Sequence, residues 1–298
     1  MKPINKMILA TAAFAVAALP GTSQGALIAY EGFDYTSGSS INSANGGSGW
    51  GGSWSVSTFG SGSGSTVESV QSSGLSYTGV TSSGNSIGLD VDRPSGSNFR
   101  GIDVDRTLSS SVSSGTIWAS WLYNSSEHSV SGSTSSWSVF ALTFTGGTNY
   151  NRLEFGRDAL SPWDSFQVGF QGGPDPDDIN LTSQTVTTGT TYLVTARIDF
   201  NTSGSNDSLY VWVNPSTSSE PTIASALFSS TTLDFGALQG VRILSGFADG
   251  GGLVNNVTLV DEIRIGTDYL STVPEPSSLA LLIGGAVALF AIRLRRRG

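Results

Sequence analysis

Thr191-Tyr192-Leu193-Val194-Thr195-Ala196-Arg197-Ile198-Asp199-Phe200 is the stretch whose reading decides the fold class. Tyr192, Val194, Ala196, Ile198 and Phe200 alternate with Thr191, Leu193, Thr195, Arg197 and Asp199. Period two is the signature of a strand with one buried face. The same alternation runs through Ile117, Ala119, Trp121 and Tyr123, and through Leu209, Val211 and Val213 before an Asn214-Pro215 turn. Val257, Leu259, Ile263 and Ile265 mark another strand. Gly-, Ser-, Thr- and Asn-rich stretches between these runs punctuate turns. No window carries an apolar stripe at helical spacing over three turns, so the body reads as all-β.

The stretch Ser37–Ser83 is richer in Gly and Ser than its surroundings, yet it contains Trp50, Trp54, Phe59 and Tyr77. A linker has little use for large aromatics, so these residues are assigned to long-looped β-structure of the same domain. Leu89-Asp90-Val91-Asp92-Arg93 is echoed by Ile102-Asp103-Val104-Asp105-Arg106. The echo is too short for a repeat architecture and reads as two strand ends.

Both ends of the chain address membranes. Met1–Gly25 has a basic start (Lys2, Lys6), an apolar stretch Met7–Leu19, a Pro20-Gly21 break, and small residues Ser23 and Gly25 before a cut at Ala26. These are the three parts of a signal peptide. At the other end, Val273-Pro274-Glu275-Pro276 precedes the uncharged run Leu279–Ile292, and then come Arg293, Arg295, Arg296 and Arg297. Fourteen apolar residues fall short of the roughly 20 a straight spanning helix needs. Arginines that reach the interface lengthen the effective span and fix the C-terminus on the cytoplasmic side. A membrane helix is therefore expected over 277–292, with 293–298 as its basic stop. Two prolines ahead of it make an extended segment open to a protease.

The 246 residues between these ends, Ala26–Ser271, form the expected working domain. Of the chain's 14 basic residues six lie in the two ends, against one of its 23 acidic residues, which leaves the body at about −14. Such acidity disfavours a nucleic-acid partner. The chain has no cysteine, which removes disulfides, thiolate metal sites and thiol catalysis. Its one histidine, His128, sits in a polar stretch read as a loop and gives a Ser-His-Asp triad or zinc site little to work with.

The tail residues Val273-Pro274-Glu275-Pro276, the apolar span and Arg293–Arg297 resemble a PEP-CTERM sorting signal, here covering 272–298. The resemblance implies a signal peptidase and an exosortase-like protease as partners, cleavage near Pro274–Pro276, transient anchoring in the inner membrane, and release to the cell surface or an exopolysaccharide matrix. Ala26-Leu27-Ile28-Ala29-Tyr30-Glu31-Gly32-Phe33-Asp34-Tyr35 and Val260-Asp261-Glu262-Ile263-Arg264-Ile265-Gly266, with Leu209–Pro215 between them, resemble the laminin-G-like branch of the concanavalin A-like jelly roll. That resemblance implies a two-sheet antiparallel sandwich with its terminal strands close together. It does not imply a ligand, since one fold hosts many functions.

Glycoside hydrolases of that fold place catalytic carboxylates along one strand in a pattern resembling Glu-x-Asp-x-x-Glu, and two carboxyl groups must flank the scissile bond. This chain lacks the pattern. Glu154 stands isolated, and Asp103 and Asp105 fall opposite Ile102 and Val104, where solvent exposure is expected. No catalytic residue is assigned. Asp261 falls on the face of Val257, Leu259, Ile263 and Ile265, so it requires hydrogen bonds, a cation, or a bulge that turns it outward. Its replacement by alanine is expected to cost more stability than that of Glu262. Asp175, Asp177 and Asp178 form the densest acidic loop, and hard oxygens on a constrained loop suit Ca²⁺, though no spacing here matches a defined calcium motif and a solvated acidic turn accounts for them more simply. Trp118, opposite Trp121 on its strand, and Trp163 beside Asp164 are the candidate sugar-stacking positions, with core packing as the alternative. Gly47-x-Gly49-x-x-Gly52 matches a dinucleotide fingerprint but lacks the strand-to-helix setting.

The function expected from these residues is an exported, non-catalytic surface or matrix protein that contacts exopolysaccharide. The alternatives are a polysaccharide-active enzyme with a non-standard site and a calcium-stabilised coat module.

Overall fold

The computed structural model describes residues 25–60, 64–93, 99–130, 135–145, 151–157, 165–171, 178–202, 206–248 and 254–273. The expected signal helix and membrane helix lie outside the described residues. The described residues form fifteen strands: β1 (Leu27–Glu31), β2 (Ser55–Gly60), β3 (Ser65–Val70), β4 (Ile87–Arg93), β5 (Phe99–Val112), β6 (Gly115–Val130), β7 (Ser135–Thr145), β8 (Arg152–Arg157), β9 (Ser165–Gln171), β10 (Asp178–Thr185), β11 (Thr191–Phe200), β12 (Asp207–Val213), β13 (Phe228–Leu233), β14 (Ala237–Ala248) and β15 (Val254–Gly266). One helical turn, α1 (Tyr269–Thr272), ends the body.

The strands form two antiparallel sheets, a jelly-roll sandwich. The eight-stranded sheet runs β13-β12-β11-β6-β15-β4-β3, with β1 also paired to β15; the seven-stranded sheet runs β10-β9-β8-β7-β14-β5-β2. Long neighbouring strands switch sheets, β5 to β6 to β7 and β14 to β15. The terminal strands β1 and β15 pair directly, Leu27 opposite Gly266 and Glu31 opposite Ile263.

Alternation explains the core. Ile117, Ala119, Trp121 and Tyr123 of β6 and Val194, Ala196 and Ile198 of β11 face Phe140, Leu142, Leu153, Phe155 and Val168 of the other sheet. Trp121 lies over Phe140 with ring centroids 4.2 Å apart. Polar groups that point inward are used to join the sheets. The Tyr123 hydroxyl donates to the Ser138 carbonyl at 2.8 Å, and Thr258 Oγ1 donates to Ser138 Oγ at 2.6 Å. Burial pushes the Tyr123 phenol above its ordinary pKa.

The described residues of the Gly/Ser-rich stretch are structured, as its aromatics require. It is organised by Glu31, only 1% exposed, which accepts from the Phe33 amide at 2.9 Å, the Tyr35 hydroxyl at 2.9 Å and Trp54 Nε1 at 3.0 Å. Arg106 pairs with the same carboxylate, and its guanidinium lies over Trp50 and Trp54 at 5.1 and 5.5 Å from the ring centroids. A buried pair so fully hydrogen-bonded is costly to break from one side, about 3–5 kcal/mol. Gly49, at φ +80°, sits where a Cβ would collide with the Ile28 carbonyl, so the glycine of the dinucleotide-like match serves backbone packing.

β15 does not keep one alternation along its length. Its pairing with β6 shifts register between Asp261 and Arg264, and Glu262 has φ +51°. This bulge reverses the faces. Val260, Ile263 and Ile265 point into the core, while Leu259 packs against the outer cluster. The expected single face of Val257, Leu259, Asp261, Ile263 and Ile265 is therefore split at the bulge. Asp261 is fully buried on the outer side and accepts from the Leu75 amide at 2.8 Å and the Glu262 amide at 2.7 Å. Glu262 is just as embedded, at 2% exposure, and holds Tyr30, the Ser83 amide and Arg264. The expected stability ranking of the two positions thus loses its premise.

Candidate functional site on the outer face of the seven-stranded sheet

Residues of β2, β5, β14, β7 and β8 that point away from the core form ordered rows across the seven-stranded sheet. In the first row Phe59 is opposite Gly101, Gly101 opposite Gly246, and Gly246 opposite Trp137. Phe59 and Trp137 are thus three strands apart, about 14 Å at the usual strand spacing. Their rings nevertheless stand with centroids 6.5 Å apart and planes within 5°. They lean toward one another across the glycine gap. A Cβ on Gly101 would strike Phe59 Cζ, and one on Gly246 would strike Trp137 Cζ2. The two glycines therefore seat the rings, which is the close-approach use of glycine inside a strand. Both aromatics are half-buried.

The next two rows carry charge. Asp103 is opposite Leu244, itself opposite Val139; Asp105 is opposite Arg242, then Ala141, then Glu154. Arg242 reaches both Asp103, at 3.5 Å, and Asp105. Burial works against its guanidinium, but the two aspartates more than offset this and raise its pKa. Burial pushes the Asp103 carboxyl above the usual carboxylate range, with Arg242 opposing the shift. Among the described residues the buried Asp103 Oδ1 has no hydrogen-bond partner. Glu154 is 4% exposed and pairs with Arg152. Asp103 and Asp105 face outward as their alternation requires, but they are only partly exposed because Arg242 of the neighbouring strand pairs with both. Glu154, expected to stand isolated, pairs with Arg152 of its own strand and continues the row. Val139, Ala141 and Leu244 form an apolar floor beneath, with Trp137 against it. Flat rings beside alternating acceptors and donors suit a ligand with an apolar face and a rim of hydroxyl groups.

The outer face of the eight-stranded sheet is built differently. Trp118 points away from Trp121, as its strand position requires, but it is 2% exposed and not an open platform. It stacks on Trp212 at 5.4 Å and meets Tyr269 edge-on at 5.1 Å. Leu75, Leu122, Leu193 and Val273 complete the cluster, and Arg197 covers Trp118 at 5.6 Å. The roof is α1, which folds back over β6. The Tyr269 hydroxyl donates to the Ser216 carbonyl, and Ser120 Oγ donates to the Thr272 carbonyl. Burial pushes the Tyr269 phenol far up. A groove of about 700 Å³ opens beside this cluster, lined by Trp212, Asn214, Pro215, Glu220 and Pro221 among others.

Of the other positions singled out, Trp163, Asp164, Asp175, Asp177, Pro274, Glu275, Pro276 and the four C-terminal arginines lie outside the described residues, as does the side chain of Asp178 on β10. His128 is on β6 opposite Asn256, not in a loop. Among the described residues no group of three or more His, Asp or Glu side chains stands ready to hold a metal. Among them, too, no helix is long and apolar enough to cross a membrane. Phe59, Trp137 and their glycine seats were not singled out together by sequence reasoning. The available signal was glycine inside two strands, at Gly101 and Gly246, since a strand glycine marks close approach.

Residues 272–297 match the family model described as the PEP-CTERM protein-sorting motif. No curated protein matches the chain. Among solved structures, the T. cruzi calreticulin globular domain is similar at TM-score 0.45 and 10% identity, covering 90% of this chain and 99% of its own. A beta-1,3-glucanase from Mycobacterium marinum gives TM-score 0.43 and 13% identity, covering 81% of this chain and 99% of its own. The Emp46p carbohydrate recognition domain, potassium-bound, gives 0.40 and 10%, covering 72% and 89%. Likeness at this level carries no argument about chemistry.

Proposed function

We propose that this is an exported, non-catalytic surface or matrix protein, processed by a signal peptidase and an exosortase-like protease, whose sandwich binds carbohydrate of the exopolysaccharide. The sorting half rests on the match over 272–297. The observation that carries the binding half is the Phe59–Trp137 pair seated on Gly101 and Gly246 beside the Asp103–Arg242–Asp105 ladder. Stacking supplies affinity and the ladder supplies hydroxyl partners. The test is binding of the purified chain 26–273 to a glycan array, wild type against Trp137→Ala. The reading expects a defined set of glycans retained by the wild type and lost by the variant; an empty array, or unchanged retention, contradicts it.

One observation favours a second reading as a glycan hydrolase. Burial raises the Asp103 carboxyl, which shares a face with Asp105 two residues away, and a raised carboxyl beside a second one is a starting point for acid–base cleavage. Release of reducing ends from an array-positive glycan, abolished in Asp103→Asn, would establish it. Calcium at Asp175, Asp177 and Asp178 stands as a proposal that calorimetric titration decides; no heat at millimolar calcium removes it.

A further inference from the structure

We infer that the outer face of the eight-stranded sheet, around α1, is the surface that lies against the phospholipid bilayer while the tail anchors the chain, so that the Phe59–Trp137 face is held away from lipid. The inference rests on the sorting-signal reading above and adds an interaction surface to it.

The first support is where the chain leaves the body. Val273, the last described residue, is 1% exposed and packed in the Trp118 cluster, with its amide bonded to the Tyr269 carbonyl at 2.9 Å. No flexible linker precedes Pro274. Only five residues, Pro274 to Ser278, separate Val273 from the apolar run that begins at Leu279. Fully extended, they span at most about 18 Å. The α1 side of the body is thereby held within about 18 Å of the start of the apolar run, whereas the far side of the sandwich is not so constrained.

The leader side converges on the same place. The Gly25 amide donates to Asp268, and the Ala26 amide donates to Thr267 Oγ1 at 2.9 Å. Asp268 is also the residue that caps α1, accepting from the Ser271 amide. Whichever end is still attached to the membrane, the sandwich hangs from this turn.

The third support is the distribution of exposed apolar side chains. The described residues include four exposed large hydrophobics, Leu27, Val67, Ile223 and Leu270. Leu270, 41% exposed, is on α1 itself. Ile223, 46% exposed, is in the turn Ile223–Ser225, whose neighbouring Thr222 carbonyl accepts from Trp212 Nε1. Leu27 lies on β1 beside Gly266, at the entry to α1. Three of the four therefore stand on or beside the α1 face. The body's charge of about −14 supplies no attraction to an anionic bilayer, so contact depends on the tether rather than on electrostatics.

Because the chain has no cysteine, single-cysteine variants report position directly. The experiment takes the chain from Ala26 to Gly298, reconstituted in phosphatidylethanolamine–phosphatidylglycerol vesicles that carry a lipid-borne quencher, with a fluorophore at Leu270→Cys, Ile223→Cys or Ser57→Cys. Ser57 is exposed and lies on the opposite face, across from Asp103. The expected result is loss of emission at Leu270→Cys and Ile223→Cys and retained emission at Ser57→Cys, with the chain ending at Val273 staying off the vesicles. Equal quenching at all three sites, or emission retained at all three while the chain floats with the vesicles, overturns the assignment of the face. Failure of the full chain to float with vesicles instead removes the anchoring reading on which the assignment stands.

Discussion

The two outer faces of the sandwich start from the same sequence pattern and end differently. On β6, Trp118 alternates with core residues; on β7, Trp137 does the same. Trp118 is roofed by Tyr269, Leu75 and Val273 and vanishes from the surface, whereas Trp137 lies flat over Gly246 and stays half-buried. The closed face uses its aromatics to hold the end of the chain. The open face uses glycine to lay its aromatics down as a platform. An outward tryptophan thus says little alone; what the rest of the chain folds over it decides whether it packs or binds.

The comparison breaks most visibly at Trp118. Trp118→Ala should cost about 3–5 kcal/mol, the range for a buried aromatic in a core, whereas Trp137→Ala should stay within about 1 kcal/mol. Denaturant unfolding followed by circular dichroism measures both, and comparable losses would erase the distinction. Gly246→Val should cost about 1–3 kcal/mol because the added atoms meet the Trp137 ring, and it should lower glycan retention as strongly as Trp137→Ala does. Retention unchanged by Gly246→Val would show that the glycine seat is incidental.

Asp261 sharpens the comparison through pH. On the closed face burial pushes its carboxyl from 3.8 up to about 8, with the nearby Glu262 adding to the shift and the Leu75 and Glu262 amides opposing it. A folded-state value above the unfolded one means stability fully present below about pH 4 and lost as pH rises through about 8. The melting temperature of the wild type relative to Asp261→Asn should therefore fall across that window. A pH-independent difference would show that the carboxyl titrates normally. The smallest effect is expected on the open face, where Arg242→Gln breaks partly exposed pairs with Asp103 and Asp105 and should cost no more than about 1 kcal/mol in thermal melts. A loss near that of Trp118→Ala would show the ladder to be structural.

Alternation made the strands and the sandwich legible, because Thr191–Phe200 and Ile117–Tyr123 each carry one apolar face. It failed at Asp261, where a one-residue bulge reverses the faces and leaves no mark in composition. Trp118 was placed on the correct side of its strand, yet its burial depends on Tyr269–Val273, a segment that reads as the lead-in to the tail. The acid ladder was half visible: Asp103 and Asp105 share a face by spacing, but Arg242 and Glu154 reach it only through strand pairing more than 40 residues away in sequence. The Phe59–Trp137 platform required knowing that β2 and β7 flank β5 and β14, which no local pattern encodes.

The most direct test of the two-face account is hydroxyl-radical footprinting of chain 26–273, with oxidation read at individual tryptophans by mass spectrometry. The account predicts rapid oxidation at Trp137, suppressed when an array-positive glycan is added, and little at Trp118 and Trp212 with or without it. Oxidation of Trp118 as fast as Trp137 in the folded chain, or no protection of Trp137 by a bound glycan, would contradict it.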